Sequence, residues 1–369
     1  MSGHGRLTRS PRRRGERFHP PWGTCTVLGG ELILGVVISN SEGLNSHPDV
    51  SRSQTSAPAY FGMLYLGSST ERHANLARRT RDPAAIYLNC ANLCAASIRA
   101  SGGSFTLITN DAERLRRCAA TLGLDQVTLI EHPFRWEAPE TARFKSAHYK
   151  LELIEAFGRG QYGSHVALVD IDTVMLRPIK FSQDAALGLS AYDMTHDVFA
   201  SHGRDVVVGD LERLCGRSLD DPRWYGGEFI AGKAHHFEKL SRRVMEVWPR
   251  YIEMHRRLHH VGDEIVTSAA LNLLRSGGEA IDDVGGEGGV VRWWSSRTLH
   301  KQVTLAEALT RGLLHLPSDK AYLAASRSDS FKPTEFIAAF EKHSARKLLL
   351  LNLKSLFSRR VGYFNPELR

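Results

Sequence analysis

Cysteine is scarce in this chain, five in 369 residues at irregular spacing, which supports neither a disulfide framework nor a zinc ribbon. Cys90 and Cys94 stand one helical turn apart and read as buried thiols, so a reducing, cytoplasmic setting follows. Long apolar runs are missing too. The nearest, "TCTVLGGELILGVVIS" at 24–39, follows a basic stretch as a signal or anchor would, but Glu31 interrupts it and no A-x-A site follows. There is no Gly-x-Ser-x-Gly elbow, no Walker loop and no internal repeat. His255 and His259 are one turn apart, but Arg256 stands where a zinc protease needs Glu, and both histidines read as surface residues. The middle of the chain also lacks a charge excess. The formal net charge is +8, yet Arg6, Arg9, Arg12, Arg13, Arg14 and Arg17 crowd the start, and Arg346, Lys347, Lys354, Arg359 and Arg360 the finish. Bulk charge therefore gives no basis for a nucleic-acid partner.

What is present is an alternating texture. Hydrophobic residues make up 42% of the chain, enough for a sizeable core. Residues 1–57, rich in Arg, Ser, Pro and Gly without periodicity, read as a disordered leader. From Ala59, "AYFGMLYLG" reads as a strand, "YLNCANLCAASIRAS" as a helix and "SFTLITN" as a strand. "DAERLRRCAATLG" is a helix capped by Asp111, and "QVTLIEH" a third strand. "APETARFKSAHYKLELIEAFG" predicts a helix over 138–158, with Phe144, Ala147, Leu151, Ile154 and Phe157 on one face. Past Pro178 the rhythm is irregular: "ALGLSAYD" reads as a strand and "WYGGEFIAGK" as a strand or turn. Long helices follow from Ala234 and Asp263, "VGGEGGVV" reads as a loop, and "GLLHLP" as a last strand. The pattern predicts an α/β fold, a mostly parallel sheet with helices on both faces, as a single catalytic domain over 58–330. Residues 331–369 read as a C-terminal helical appendage.

The residues that bear on chemistry begin in "VALVDIDTVMLRP" (166–178), an apolar strand that ends on Asp170 and Asp172. Ligands of such sheets sit beyond the carboxyl ends of the strands, and two carboxylates that close need a cation, a proton or a basic side chain. Hard carboxylate oxygens suit a divalent cation, which in turn holds a diphosphate. His315 in "LLHLPSDK" also follows an apolar run, with Lys320 five residues on, so an imidazole is available to the metal and an ammonium to a phosphate. Arg143 and Lys150, seven residues apart, share a helix face opposite the apolar stripe, which is either a solvated basic face or a phosphate contact. Trp293 and Trp294 suit packing better than stacking on a sugar.

"YKLELIEAF…HVALVDIDTVMLRPI" resembles the helix and Asp-x-Asp strand of GT-A fold glycosyltransferases, with the texture of glycosyltransferase family 8, the glycogenin and lipopolysaccharide galactosyl- and glucosyltransferase group. The resemblance spans roughly residues 58 to 325. It implies a nucleotide-sugar donor, usually a UDP-sugar, a carbohydrate or glycolipid acceptor, and Mn²⁺ (or Mg²⁺) held by Asp170, Asp172 and His315. It also implies phosphate contacts from Lys150 and Lys320. "WYGGEFIAGK" stands where the family has Phe-Asn-x-Gly-Val, so Gly226, Gly227 and Glu228 would line the sugar and acceptor site, with Gly in place of Asn. "GDEIVTSAALN" stands where it has Asp-Gln-x-x-Leu-Asn, which puts Asp263 and Glu264 beside the donor sugar. The late motif lacks the family's Gly, Pro and Trp, as in a divergent relative.

A rival reading uses the same strand. "DIDTV" also matches the signature of haloacid-dehalogenase-type phosphatases, with Asp170 as nucleophile, Asp172 as general acid, Asp282-Asp283 as the late acids and Mg²⁺. That signature belongs on the first strand of its fold, whereas three strand–helix units come before it here. A non-catalytic nucleotide-sugar-binding module is a third reading. Lastly, "SARKLLLLNLKSLFSRR" is a basic amphipathic stretch with Leu349, Leu353, Leu356 and Phe357 on one side. Either it lies on an anionic membrane surface, or it packs its leucines, four in a row at 348–351, on the core.

Overall fold

The computed structural model describes residues 57–67, 76, 82–124, 127–139, 142, 145–181, 188–286, 288–296, 298 and 301–360, with side chains as far as 353. The 1–57 leader, the 24–39 segment, Arg143, Phe144, Leu356 and Phe357 therefore fall wholly or almost wholly outside the described residues and side chains.

The first half is strand and helix in turn: β1 (Ala59–Leu64), α1 (Pro83–Ala100), β2 (Phe105–Thr109), α2 (Ala112–Leu122), β3 (Thr128–Glu131), α3 (Tyr149–Gly158) and β4 (His165–Val169). Local chemistry sets the ends. Asp82 accepts from the Ala85 amide with Pro83 opening α1, and Asp111 accepts from Arg114 to open α2 as expected, with Gly123 closing it at φ 68°. The second half runs β5 (Thr173–Met175), β6 (Leu189–Asp193), α4 (Thr195–His202), α5 (Arg204–Cys215), β7 (Tyr225–Lys233), α6 (Ala234–Met254), α7 (Asp263–Ser276), β8 (Ile281–Asp283), β9 (Val290–Arg292), α8 (Leu305–Ala308), β10 (Leu313–His315), α9 (Lys320–Ala325) and α10 (Pro333–Arg360).

Seven strands form one sheet in the order β3-β2-β1-β4-β7-β6-β8, and β5-β10-β9 a smaller one. In the large sheet only β7 runs against its neighbours, so the class is mixed α/β with a mostly parallel sheet and helices around it, as the pattern predicts. The main core fills the space between this sheet and its helices. Close approach is built in where size is smallest: a Cβ on Gly158 would lie 2.8 Å from the Glu238 backbone, so α3 and α6 pack almost backbone to backbone. A second core joins α1, the small sheet, α9 and the start of α10 through Leu93, Val174, Leu314, Trp293, Phe336 and Phe340.

Three expectations need correction. The helix predicted over 138–158 is α3 preceded by a 3-10 turn at Lys145–His148. Residues 132–139 belong to neither helix nor strand and are held by Glu152, whose carboxylate accepts from the Arg135 and Trp136 amides at 2.8–3.0 Å. Lys150 is therefore not on an open face opposite the apolar stripe; its side chain is only 14% exposed. His255 and His259 are not surface residues: His255 is buried, and His259 donates Nδ1–H to the buried Asp210 at 2.7 Å. The leucines of α10 do not pack on the core either. Leu348, Leu349, Leu350 and Leu353 are 41–60% exposed. Among the described residues no helix is long and apolar enough to cross a membrane.

Candidate active site

The strand β4 ends, and the chain turns sharply through Asp170-Ile171-Asp172 into β5. Backbone bonds fix that turn from two sides. The Asp170 amide donates to the Glu228 carbonyl on β7 at 3.0 Å, and the Asp172 carbonyl accepts from the Leu316 amide at 3.0 Å. Ile171 is buried against Gly62, where a Cβ would come within 2.7 Å of it. The two carboxylates are thus turned away from the core while the residue between them is locked into it.

The small sheet brings distant chain segments to this turn. His315 on β10 pairs with Thr173 on β5 and with Arg292 on β9. Asp170, Asp172 and His315 consequently offer three ligand atoms within 4.8 Å of one another. The His315 Nε2 lies 3.4 Å from Asp172 and 3.7 Å from Asp170. Its Nδ1 faces Glu228 Oε1 at 3.4 Å without good hydrogen-bond geometry and has no other partner. A carboxylate behind Nδ1 favours a proton there, so that once the Nε2 proton is displaced its lone pair points toward the two acids, the arrangement metal-bound histidines use.

Cations close the cluster. Lys150 lies 2.5 Å from Asp170 and 3.3 Å from Asp263, and donates to the Gly227 carbonyl at 3.0 Å. Lys320 lies 2.5 Å from Asp172. Arg292, to which nothing in the sequence draws notice, grips Glu228 with Nε at 2.9 Å and Nη2 at 2.5 Å, and reaches Glu264 with Nη2 at 2.8 Å. Glu264 also accepts from the Trp224 indole at 2.5 Å. Asp263 and Glu264 occupy the first turn of α7, where the helix dipole favours negative charge.

The described residues that the resemblance assigns to metal, phosphate and sugar therefore all meet in one charged cluster beyond the end of β4, here called the cleft. Gly226 and Gly227 are there too, and a Cβ would strike Glu228 at 2.2 Å from Gly226 and approach Asp263 at 3.3 Å from Gly227. Counted over these contacts, the five carboxylates outnumber the three permanent cations by two. Burial of the charges is felt unevenly. Burial pushes Asp170 up against the pull of Lys150, whereas Lys320 and His315 outweigh burial and hold Asp172 well below the carboxylate range. Burial disfavours a charged His315, but Asp172 and Glu228 outweigh it and push the imidazole up to about 9. Burial likewise opposes charge on Glu264, and Arg292 wins, holding it at about 2.

The donor set fits a divalent cation. Two carboxylate oxygens and one imidazole nitrogen converge, and with the Nε2 proton of His315 displaced a net excess of two negative charges is there for it to neutralise. The late acids of the phosphatase reading are elsewhere. They lie on β8, three strands from β4, or about 14 Å at ordinary strand spacing. Asp283 is spent there on the amides of Asp193, Gly285 and Gly286. Trp293 packs edge-on against Phe340 at 5.8 Å, as expected.

No family model matches the chain, and no curated protein sequence does. Among solved structures it is similar to LgtC, a galactosyltransferase in complex with donor and acceptor sugar analogs, at 13% identity over 72% of this chain and 95% of that one, with a TM-score of 0.42. It is similar also to the apo structure of WbbM, a bifunctional glycosyltransferase, at 12% identity over 78% of this chain and 52% of that one, with a TM-score of 0.44. Similarities this loose assign no activity, and the functional reading stands on the cleft's own residues.

Proposed function

We propose that the chain is a GT-A type glycosyltransferase that moves a sugar from a nucleotide-sugar donor, a UDP-sugar, to a hydroxyl of a carbohydrate or glycolipid acceptor in polysaccharide or lipopolysaccharide synthesis. One observation supports it above the others: Asp170, Asp172 and His315 converge beyond the end of β4 with a lysine on either side. Asp170, Asp172 and the His315 Nε2 would hold Mn²⁺, which when bound neutralises charge on a departing diphosphate. Lys150 and Lys320 sit on those carboxylates and are placed to transfer their hydrogen bonds to phosphate oxygens. Glu228 is fully enclosed and doubly bonded to Arg292, so its role is to orient His315. Asp263 and Glu264, with side chains 12–13% exposed, are the acids left to meet the sugar.

The experiment is a screen of nucleotide-sugar hydrolysis and transfer with Mn²⁺, against phosphomonoesters with Mg²⁺ as the contrast. Turnover of a UDP-sugar that stops when the metal is chelated is the expected result. Phosphomonoester hydrolysis alone would give the cleft to a phosphohydrolase, and nucleotide binding without any turnover to a binding module.

A glycolipid acceptor would lie at a membrane surface, which suggests a use for the distal half of α10. Its exposed Leu348, Leu349, Leu350 and Leu353 lie among the exposed Lys342 and Arg346. We propose that this stripe rests on the anionic cytoplasmic face of a membrane. Full-length protein is expected to sediment with anionic vesicles at low salt, and Leu349→Glu/Leu350→Glu to remain in the supernatant with an unchanged melting temperature. Cosedimentation of the double variant at the wild-type level would reject the idea.

A further inference from the structure

Asp319 and Lys320 are neighbours that face opposite ways. Lys320 reaches into the cleft, to Asp172 at 2.5 Å and the Pro317 carbonyl at 3.1 Å. Asp319 reaches back to α10. An Asp immediately before a helix ordinarily turns inward to cap it, but Asp319 makes no such bond to α9. Its carboxylate is fully enclosed and takes Lys347 Nζ at 2.8 Å, His343 Nε2 at 3.0 Å, Ser318 Oγ at 3.2 Å and the Ser295 hydroxyl. Lys347 also donates to Ser295 Oγ at 2.6 Å and to the Ser318 carbonyl at 2.8 Å. The His343 ring stacks on Tyr322 of α9 at 4.1 Å.

None of these groups belongs to the charged cluster of the cleft. They fasten from behind the two segments that emerge from it, one following Arg292 and the other following His315. A carboxylate this enclosed cannot leave its partners without stranding a charge in the interior. The turn that bears Lys320 therefore has one stable placement, set by α10.

We propose that Lys347 and His343 are positioning residues for Lys320: by clamping Asp319 from α10 they hold the neighbouring ammonium at the diphosphate end of the cleft. The proposal rests on the diphosphate reading of the cleft. On it, α10 is a working part of the site, and a contact made by its exposed leucines is mechanically joined to Lys320.

The test is a double-mutant cycle on the full chain, with calorimetric titration of UDP in saturating Mn²⁺ and a thermal melt of every variant. Lys320→Met alone should weaken UDP about tenfold or more, the loss of a charge-assisted hydrogen bond. Lys347→Met should weaken it about fivefold to tenfold in the wild-type background, and by nothing further once Lys320 is Met. Lys347→Arg should restore most of the affinity, and Asp319→Asn, which keeps the side-chain shape, should behave like Lys347→Met. The drop in melting temperature should be the same in both backgrounds. If the two affinity losses multiply instead, or if Lys347→Met leaves affinity untouched, Lys347 is only structural and the proposal is overturned. If Lys320→Met itself has no effect on UDP, the diphosphate reading fails first.

Discussion

Asp170→Asn and Asp172→Asn are expected to remain folded and to bind UDP with an affinity that Mn²⁺ no longer improves. An amide presents a carbonyl oxygen of similar shape but no charge, and a hard divalent cation in a half-buried cleft depends on that charge. Removing a partner one shell out from a metal costs about 10–100-fold in metal affinity, so losing a direct ligand should cost at least the upper figure. His315→Ala removes a neutral donor and should weaken binding less. Two arms of the measurement separate this account from its nearest competitor, in which the lysines alone grip the nucleotide. Asn at either position releases a lysine that now lies 2.5 Å from a carboxylate. Metal-free affinity for UDP should therefore hold or rise in the same variants that lose the metal effect. Calorimetry with and without Mn²⁺ reads both numbers. Full Mn²⁺ enhancement in both Asn variants would remove the metal assignment and with it the proposed leaving-group chemistry.

Much of this cleft is legible in the sequence, and the reason is geometric. Asp170, Asp172 and His315 each end an apolar run; the first two lie beyond the carboxyl end of β4 in the mostly parallel sheet, and His315 is brought to them by the antiparallel pairing of β10 with β5 in the small sheet. Lys150 is legible only as a charge near the right strand. Its helix begins later than the apolar spacing suggests, and from inside that helix the Glu152 side chain holds the irregular backbone at Arg135 and Trp136. The two helices after β6 escape sequence reading because Gly203, at φ 87°, breaks one apolar pattern into two short ones. The reversed direction of β7 is not written in its residues at all, since side-chain alternation is the same whichever way a strand runs. His259 is held by Asp210, 49 residues away along the chain and so without a local signature, while His255 packs on Tyr251 one turn earlier. The leucines of α10 mislead in the other direction. Four in a row suggest burial, yet α10 reaches the core only as far as Phe336, Phe340 and the buried Ser344.

Arg292 is the residue sequence reasoning cannot find, since its partners lie 28 and 64 residues away along the chain, and it carries the second large expectation. With Arg292→Met, Glu228 is left fully enclosed with only the His315 imidazole facing it at 3.4 Å, and the one hydrogen bond left to Glu264 is the Trp224 indole's. Breaking a buried ion pair from one side costs about 3–5 kcal/mol of stability, because the abandoned charge stays in the interior. The pH dependence gives the sharper reading. In the wild type, Arg292 depresses both acids, Glu264 to about 2. Such groups stabilise the fold fully above their unfolded value of about 4.3, and the contribution is lost as pH falls through the folded value. Without Arg292, burial is opposed only by His315 at Glu228 and by His260 at Glu264, and both carboxyls rise. A raised carboxyl stabilises below its unfolded value, and that contribution is lost as pH climbs through the folded one. The wild type should accordingly be steadier at pH 7 than at pH 3, and Arg292→Met steadier near pH 4 than at pH 7. Glu228→Gln/Glu264→Gln added to Arg292→Met removes every charge of the triad and should recover most of the stability at pH 7, as replacing a whole buried ion cluster commonly does. Denaturant melts of the three proteins at pH 4 and pH 7 decide the matter. If Arg292→Met follows the wild-type pH profile, the two glutamates are compensated by something other than Arg292, and its place at the centre of the cleft is lost.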